Sequence, residues 1–138
     1  MEQEDYLLRQ ISHLARALGK ILFDLIGLKN TGQVSLGIEI TNQVLKDELD
    51  FDIQELMDIP TNVFINTLSK EKKFCNDSFE KLAEILLLIA DSKEGNSKQM
   101  LYEKCLTIFE HLEKTENVFT LGRQWKMEQI KLLGNIIY

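Results

Sequence analysis

Apolar residues recur at helical spacing through most of this chain, and polar turn residues divide the pattern into about six segments. The first segment predicts a helix from Asp5 to Ile26, stopped by Gly27. On a helical wheel Tyr6, Leu7, Leu8, Ile11, Leu14, Ala15, Ala17, Leu18, Ile21, Leu22, Leu25 and Ile26 cover an arc of about 200°, twice the stripe of an ordinary surface helix. Arg9, Ser12, His13, Arg16, Lys20 and Asp24 hold the narrower remainder. So wide an apolar arc needs more than one partner surface. The helix lies between two layers of its own domain, or buries one flank against a second copy of the chain.

Asn30 to Gln33 reads as a loop containing Gly32. A second helix follows, with Ser35 as its N-cap and Ile38, Thr41, Val44, Leu45 and Leu49 at helical spacing. The acidic segment Asp47 to Asp58 ends it, with one short helical turn at Ile53, Leu56, Met57 and Ile59. Pro60 then breaks the pattern ahead of a short helix through Val63, Phe64, Ile65 and Leu68. Ser69 to Asn76 is a polar link. Asp77 or Ser78 caps a helix from Phe79 to Ala90, with Phe79, Leu82, Ile85, Leu86 and Ile89 on one face and Ala83, Leu87 and Ala90 on a second. Gly95 and Asn96 make a turn, and Ser97 caps a helix carrying Leu101, Cys105, Ile108 and Leu112 with Tyr102, Leu106 and Phe109 beside them. After a break at Thr115 to Asn117, the final helix places Val118, Leu121, Trp125, Leu132 and Ile136 on one face. Phe119, Ile130, Leu133 and Ile137 fall on another. The expectation is an all-α fold of antiparallel helical hairpins, either an α-α superhelix or an irregular bundle. One domain spans 1–138, with residues 1–28 as its N-terminal helix and 77–138 as its hairpin region.

Residues 77–137, read as helix, turn, helix, turn, helix, resemble a tetratricopeptide-type array, with Ala83 and Ala90 where helices approach closely. The helices near 77 and 117 start about 40 residues apart rather than about 34, and the Trp-Leu-Gly-Tyr pattern of that repeat is absent. The opening Asp5-Tyr6-Leu7-Leu8-Arg9-Gln10-Ile11, the run Ile40 to Leu49 before an acidic break, and the closing hairpins carry a second resemblance. Together they resemble an uncharacterised family of short bacterial all-helical proteins similar to tetratricopeptide-like domains. That resemblance implies the fold and carries over no catalytic residue.

Composition agrees with helices. Leucine occurs 22 times and isoleucine 14 against four valines, and one proline and seven glycines are too few turn formers for an all-β domain. Gly19, Gly37 and Gly122 fall inside predicted helices, where a missing side chain lets a neighbouring helix come close. The net charge of −6 disfavours nucleic acid as a partner. That charge resolves into −1 over residues 1–28, −6 over 29–94 and +1 over 95–138, so the middle of the chain forms an acidic surface. Cys75 and Cys105, with no CxxC and no nearby His, read as buried thiols that act as small hydrophobes. Glu2, Glu4 and Asp5 are acidic where a signal peptide is basic, and no apolar run is long enough to span a bilayer, so the expected setting is the cytoplasm.

Chemical motifs are absent. His13 and His111 form no HExxH or Glu-x-x-His pair. An EF-hand loop counted from Asp50 fails, with Gln54 at position five, Glu55 at position six and Thr61 at position twelve. Gly19-Lys20 lacks the earlier glycine of a phosphate loop, since Leu14 stands there. The expectation is therefore no catalytic residue, no metal and no cofactor. Arg9, His13, Arg16 and Lys20, at i, i+4, i+7 and i+11, are the one basic concentration of an acidic chain and the candidate interaction face. They are a solvated face paired with the acidic middle segment, a contact for an acidic partner or second subunit, or a face for anionic lipid. The core's need for the apolar arc weighs against lipid. The leading expectation is a non-enzymatic helical module that binds a protein partner or a second copy as a homodimer. The alternatives are a small-ligand or lipid-binding protein, with a cavity at His13, Tyr102 or Trp125, and membrane-surface attachment through the first helix.

Overall fold

The helical periodicity resolves into seven helices in a computed structural model whose described residues are 2–116 and 120–133, without the side chains of 2–8, 11 and 12. They are α1 (Glu2–Asn30), α2 (Val34–Leu49), α3 (Ile53–Asp58), α4 (Thr61–Glu71), α5 (Asn76–Ala90), α6 (Gly95–Glu116) and α7 (Leu121–Leu133). The fold is all-α, with no strand among the described residues. The side chains of Tyr6, Leu7, Leu8, Ile11 and Ser12, and residues Asn117, Val118, Phe119, Ile136 and Ile137, lie outside the described residues.

Several boundaries differ from those read off the sequence, each for a local reason. Gly27 does not stop α1; it lies exposed inside the helix. Termination falls at Gly32, whose φ of +76° lets Gly32 N–H bond Lys29 O (3.1 Å) and Gln33 N–H bond Leu28 O (2.7 Å), a Schellman closure. The α2 helix starts at Val34 behind Gln33, so Ser35 is not its cap. Asp52, in the acidic segment, does cap α3, accepting from Glu55 N–H at 2.8 Å. The polar link after α4 is shorter than expected, because helix continues through Glu71. The α5 helix starts at Asn76 with Cys75 as N-cap, which leaves Ser78 buried in its first turn and capping nothing. Gly95, at φ +67°, opens α6, so the turn is made by Asp91 to Glu94 and Ser97 lies inside the helix.

Side-chain contacts give the layout. Glu48 near the end of α2 meets His13 on α1, and Gly37 near its start meets Leu25 and Leu28, so the pair is antiparallel. Against α5, Gly19 faces Lys81 and Lys29 lies 3.5 Å from Asp91, so α1 and α5 run parallel. The α5–α6 hairpin is antiparallel and forms the largest helix–helix interface: Tyr102 reaches Asp91, Cys105 reaches Ala83, and His111 lies against Phe79. The short α3 and α4 pack on α6, and α7 lies over α5 and α6. This arrangement uses the arc's described part from Leu14 to Leu25, while Ile26 stays exposed. Leu14, Leu18, Ile21 and Leu25 enter a core that continues to Met127 and Ile130, while the flanks of α1 meet α2 and α5.

The glycines divide. A Cβ at Gly37 would stand 2.7 Å from Leu25 Cδ1, so the bare backbone is what lets α1 and α2 close there. A Cβ at Gly19 would stand 3.3 Å from Lys81 Cε, whereas one at Gly122 would meet nothing within 4 Å among the described residues. The small second face of α5 is used as expected, with Ala83 and Ala90 fully buried.

Candidate functional site

The four basic positions of α1 all remain exposed. His13 Nε2 lies 2.8 Å from Glu48 Oε2, which joins this face to the acidic middle segment as one of the expected readings had it. Lys20 lies 3.7 Å from its own helix's Asp24, an exposed pair of little energetic weight. Arg9 and Arg16 form no ion pair among the described residues.

The structure gathers three of the four, His13, Arg16 and Lys20, along one wall of a groove of about 360 Å³ between α1 and α2. Its physical origin lies in side-chain size. The helices touch at Gly37, close to their connecting turn. Farther along, the floor is made by the short side chains of Ala17 and Val44 together with Ile21 and Ile40, which leaves the cleft unfilled. Glu48 and Asp24 add carboxylates, so the groove has a basic α1 edge and an acidic end. Apolar surface continues outward from it. Leu36, one turn before Ile40, is 45% exposed, and Phe23, one turn after Lys20, is 78% exposed. Phe23 belongs to neither arc named for this helix, although 100° per residue puts it near Arg16 on the solvent side.

Arg9 stands apart from that groove. With His13 it lines a second, polar cleft of about 540 Å³ where α1 meets the C-terminal ends of α2 and α4. The helix ends expose carbonyls that favour cations. Lys72 Nζ donates to Leu49 O at 2.8 Å and lies over the Phe51 ring, and Lys73 donates to Lys70 O. Asp50 and Lys73, at the two ends, both adopt positive φ.

The other candidate side chains do not meet. Tyr102 is fully buried, donates to Asp91 at 2.9 Å, and has its hydroxyl pushed well above the usual range by burial and by that carboxylate. Trp125 is exposed on α7 and lines neither of the two clefts that His13 borders. Cys105 is buried and burial pushes its thiol up, while Cys75 is half-buried; both are free thiols. His111 is half-buried against Phe79, with its basicity lowered by burial and by Lys114. Among the described residues no group of three His, Cys, Asp or Glu side chains is placed to hold a metal ion, and no helix is long and apolar enough to cross a membrane.

Two buried cations were not anticipated. Lys104 donates to Ile59 O (2.6 Å) and Thr61 Oγ1 (3.0 Å) over the Phe64 ring, tying α6 to the α3–α4 junction, and burial lowers its basicity. Arg123 joins α7 to Glu80, Glu113 and Glu116. Both read as ordinary surface charges in sequence, because their partners lie on other helices. No protein-family model, curated protein or solved structure matches this chain.

Proposed function

We propose that this protein is a non-enzymatic helical interaction module that holds a protein partner on the α1–α2 face. The carrying observation is the groove in which His13, Arg16 and Lys20 border an apolar floor of Ala17, Ile21, Ile40 and Val44. Apolar contact supplies affinity at such a surface, and the charged edge selects the partner. Two antiparallel hairpins, α1–α2 and α5–α6, stacked through their parallel first helices, support the tetratricopeptide-like reading, in which surfaces between helices take peptides. The free thiols Cys75 and Cys105 support a cytoplasmic setting.

A small-ligand reading rests on the larger cleft at the ends of α2 and α4. It is the weaker one, because His13, Lys72 and Lys73 already bond Glu48, Leu49 and Lys70. The test is capture from lysate of the source cell with the wild-type protein and with Arg16→Glu plus Lys20→Glu. A protein recovered by the first and lost by the second is the expected outcome. Equal recovery by both, or none by either, removes the reading.

A further inference from the structure

We propose that the occupant of the α1–α2 groove is an amphipathic helix with an acidic edge, supplied by a partner protein. This inference rests on the interaction reading above and names the partner's chemistry.

Charge complementarity carries it. In a chain of net charge −6, the exposed Arg16 has no ion pair among the described residues, and Lys20 has a long, exposed pair at 3.7 Å. These two side chains stand one turn apart on the same groove edge, a spacing that meets carboxylates one turn apart on an opposing helix. The floor asks for apolar side chains. Ile40 and Leu36, both partly exposed, extend it along α2 at the four-residue spacing of a helix face.

Length agrees. From His13 to Asp24 the groove follows α1 for about 16 Å, three turns at 1.5 Å per residue, enough for an i, i+3, i+4, i+7 set of anchors. The carboxylates set the orientation: Glu48 and Asp24 repel an acidic edge, so it lies on Arg16 and Lys20 toward the middle of the groove. The same carboxylates argue against an anionic bilayer. A flat negative surface on this face would press on the exposed Asp47 and Glu48 of α2 and could not enter the concave floor.

The test is fluorescence anisotropy with a labelled amphipathic peptide of about 18 residues, leucines at helix spacing and glutamates elsewhere, beside its lysine-for-glutamate twin. The glutamate peptide should bind, more weakly as salt rises from about 50 to about 300 mM, while the lysine twin does not. Arg16→Glu plus Lys20→Glu should weaken binding at least about tenfold, and the charge-preserving Arg16→Lys plus Lys20→Arg should retain it. Arg16 and Lys20, the two positions substituted, are both exposed, so an unchanged helical circular dichroism spectrum confirms folding in each variant. Ile40→Glu should also weaken binding, by placing a carboxylate on the floor. Equal binding of the two peptides, or no effect of the double charge reversal, overturns the proposal. So does sedimentation with vesicles containing phosphatidylglycerol when the glutamate peptide fails to bind. If the peptide fails while lysate capture still loses a protein on charge reversal, the interaction reading stands and the acidic-helix partner falls. If both fail, the interaction reading falls as well.

Discussion

Replacing Arg123 with methionine should release α7 from the body of the protein without unfolding the rest. The arginine side chain is 8% exposed, and its two Nη atoms bond Glu80 at 3.0 Å, Glu116 at 2.9 Å and Glu113 at 3.2 Å. Burial opposes its charge, but the three carboxylates outweigh that and hold the guanidinium above its ordinary basicity. Removing one partner of a buried ion pair costs about 3–5 kcal/mol. Here the carboxylates keep 19–36% exposure and can rehydrate, and Arg123 Nε is buried with no partner among the described residues, so its loss returns part of the cost. About 2 kcal/mol is the expected net loss. Met127, Ile130 and the Lys126–Glu84 pair then remain among the described contacts of α7, a helix of 13 residues.

Hydrogen-exchange mass spectrometry reads this locally. Peptides covering Leu121–Leu133 should lose protection by about 30-fold in Arg123→Met, while α5 and α6 keep theirs. Adding Glu80→Gln, Glu113→Gln and Glu116→Gln should restore part of the protection, because the stranded carboxylates cause part of the loss. Unchanged exchange of α7 in the single variant would refute the reasoning and place its anchorage in Met127 and Ile130.

Three further outcomes follow from the packing. His111 is less basic in the fold than the ordinary value of 6.5, so the unfolded chain takes up the extra proton and stability, full above that pH, falls as pH drops through it. Thermal midpoints between about pH 7.5 and 5.5 should show this fall reduced in His111→Gln, and equal slopes in the two proteins would contradict it. Gly37→Ala should destabilise by about 1–2 kcal/mol in urea unfolding, since overpacking against the buried Leu25 exceeds the gain in helix propensity, whereas Gly122→Ala, in open space, should stabilise by about 0.5–1 kcal/mol. Lys104→Met should cost about 1–3 kcal/mol by leaving Ile59 O without its donor, and a neutral result would show that water replaces the ammonium.

The helices and most of their inward faces were legible in the sequence because they depend on neighbours three and four residues away. Leu14, Leu18, Leu25, Leu82, Ile85, Leu101 and Ile108 are buried where periodicity put them. Helix ends were less legible. A cap is decided by one backbone conformation, and Gly27 and Gly32 offer the same residue type to two candidate stops. The last helix departs from its pattern for a different reason. Leu121, Trp125 and Leu132 form a helical stripe yet are exposed; of the second apolar face Ile130 is buried and Leu133 exposed, and Arg123 and Met127 turn inward with Ile130. Glu80 on α5 and Glu113 and Glu116 on α6 hold that arginine, and none of them lies within four residues of it in the chain.

The candidate site divides in the same way. By itself the sequence determined that Arg9, His13, Arg16 and Lys20 share one face of the first helix, because a helix of 3.6 residues per turn fixes angular position whatever surrounds it. It also determined the acidic middle segment and the need of α1 for two packing surfaces. Only the tertiary structure decided that α2 and α5 are those surfaces, and that three of the four basic residues border a groove while Arg9 faces another cleft. The reason is the approach of α2. Gly37 brings it close at one end, and Ala17 and Val44 are too short to fill the space at the other. A cleft is a difference between the volume two helices enclose and the volume their side chains occupy, and that difference exists only once the helices are in place.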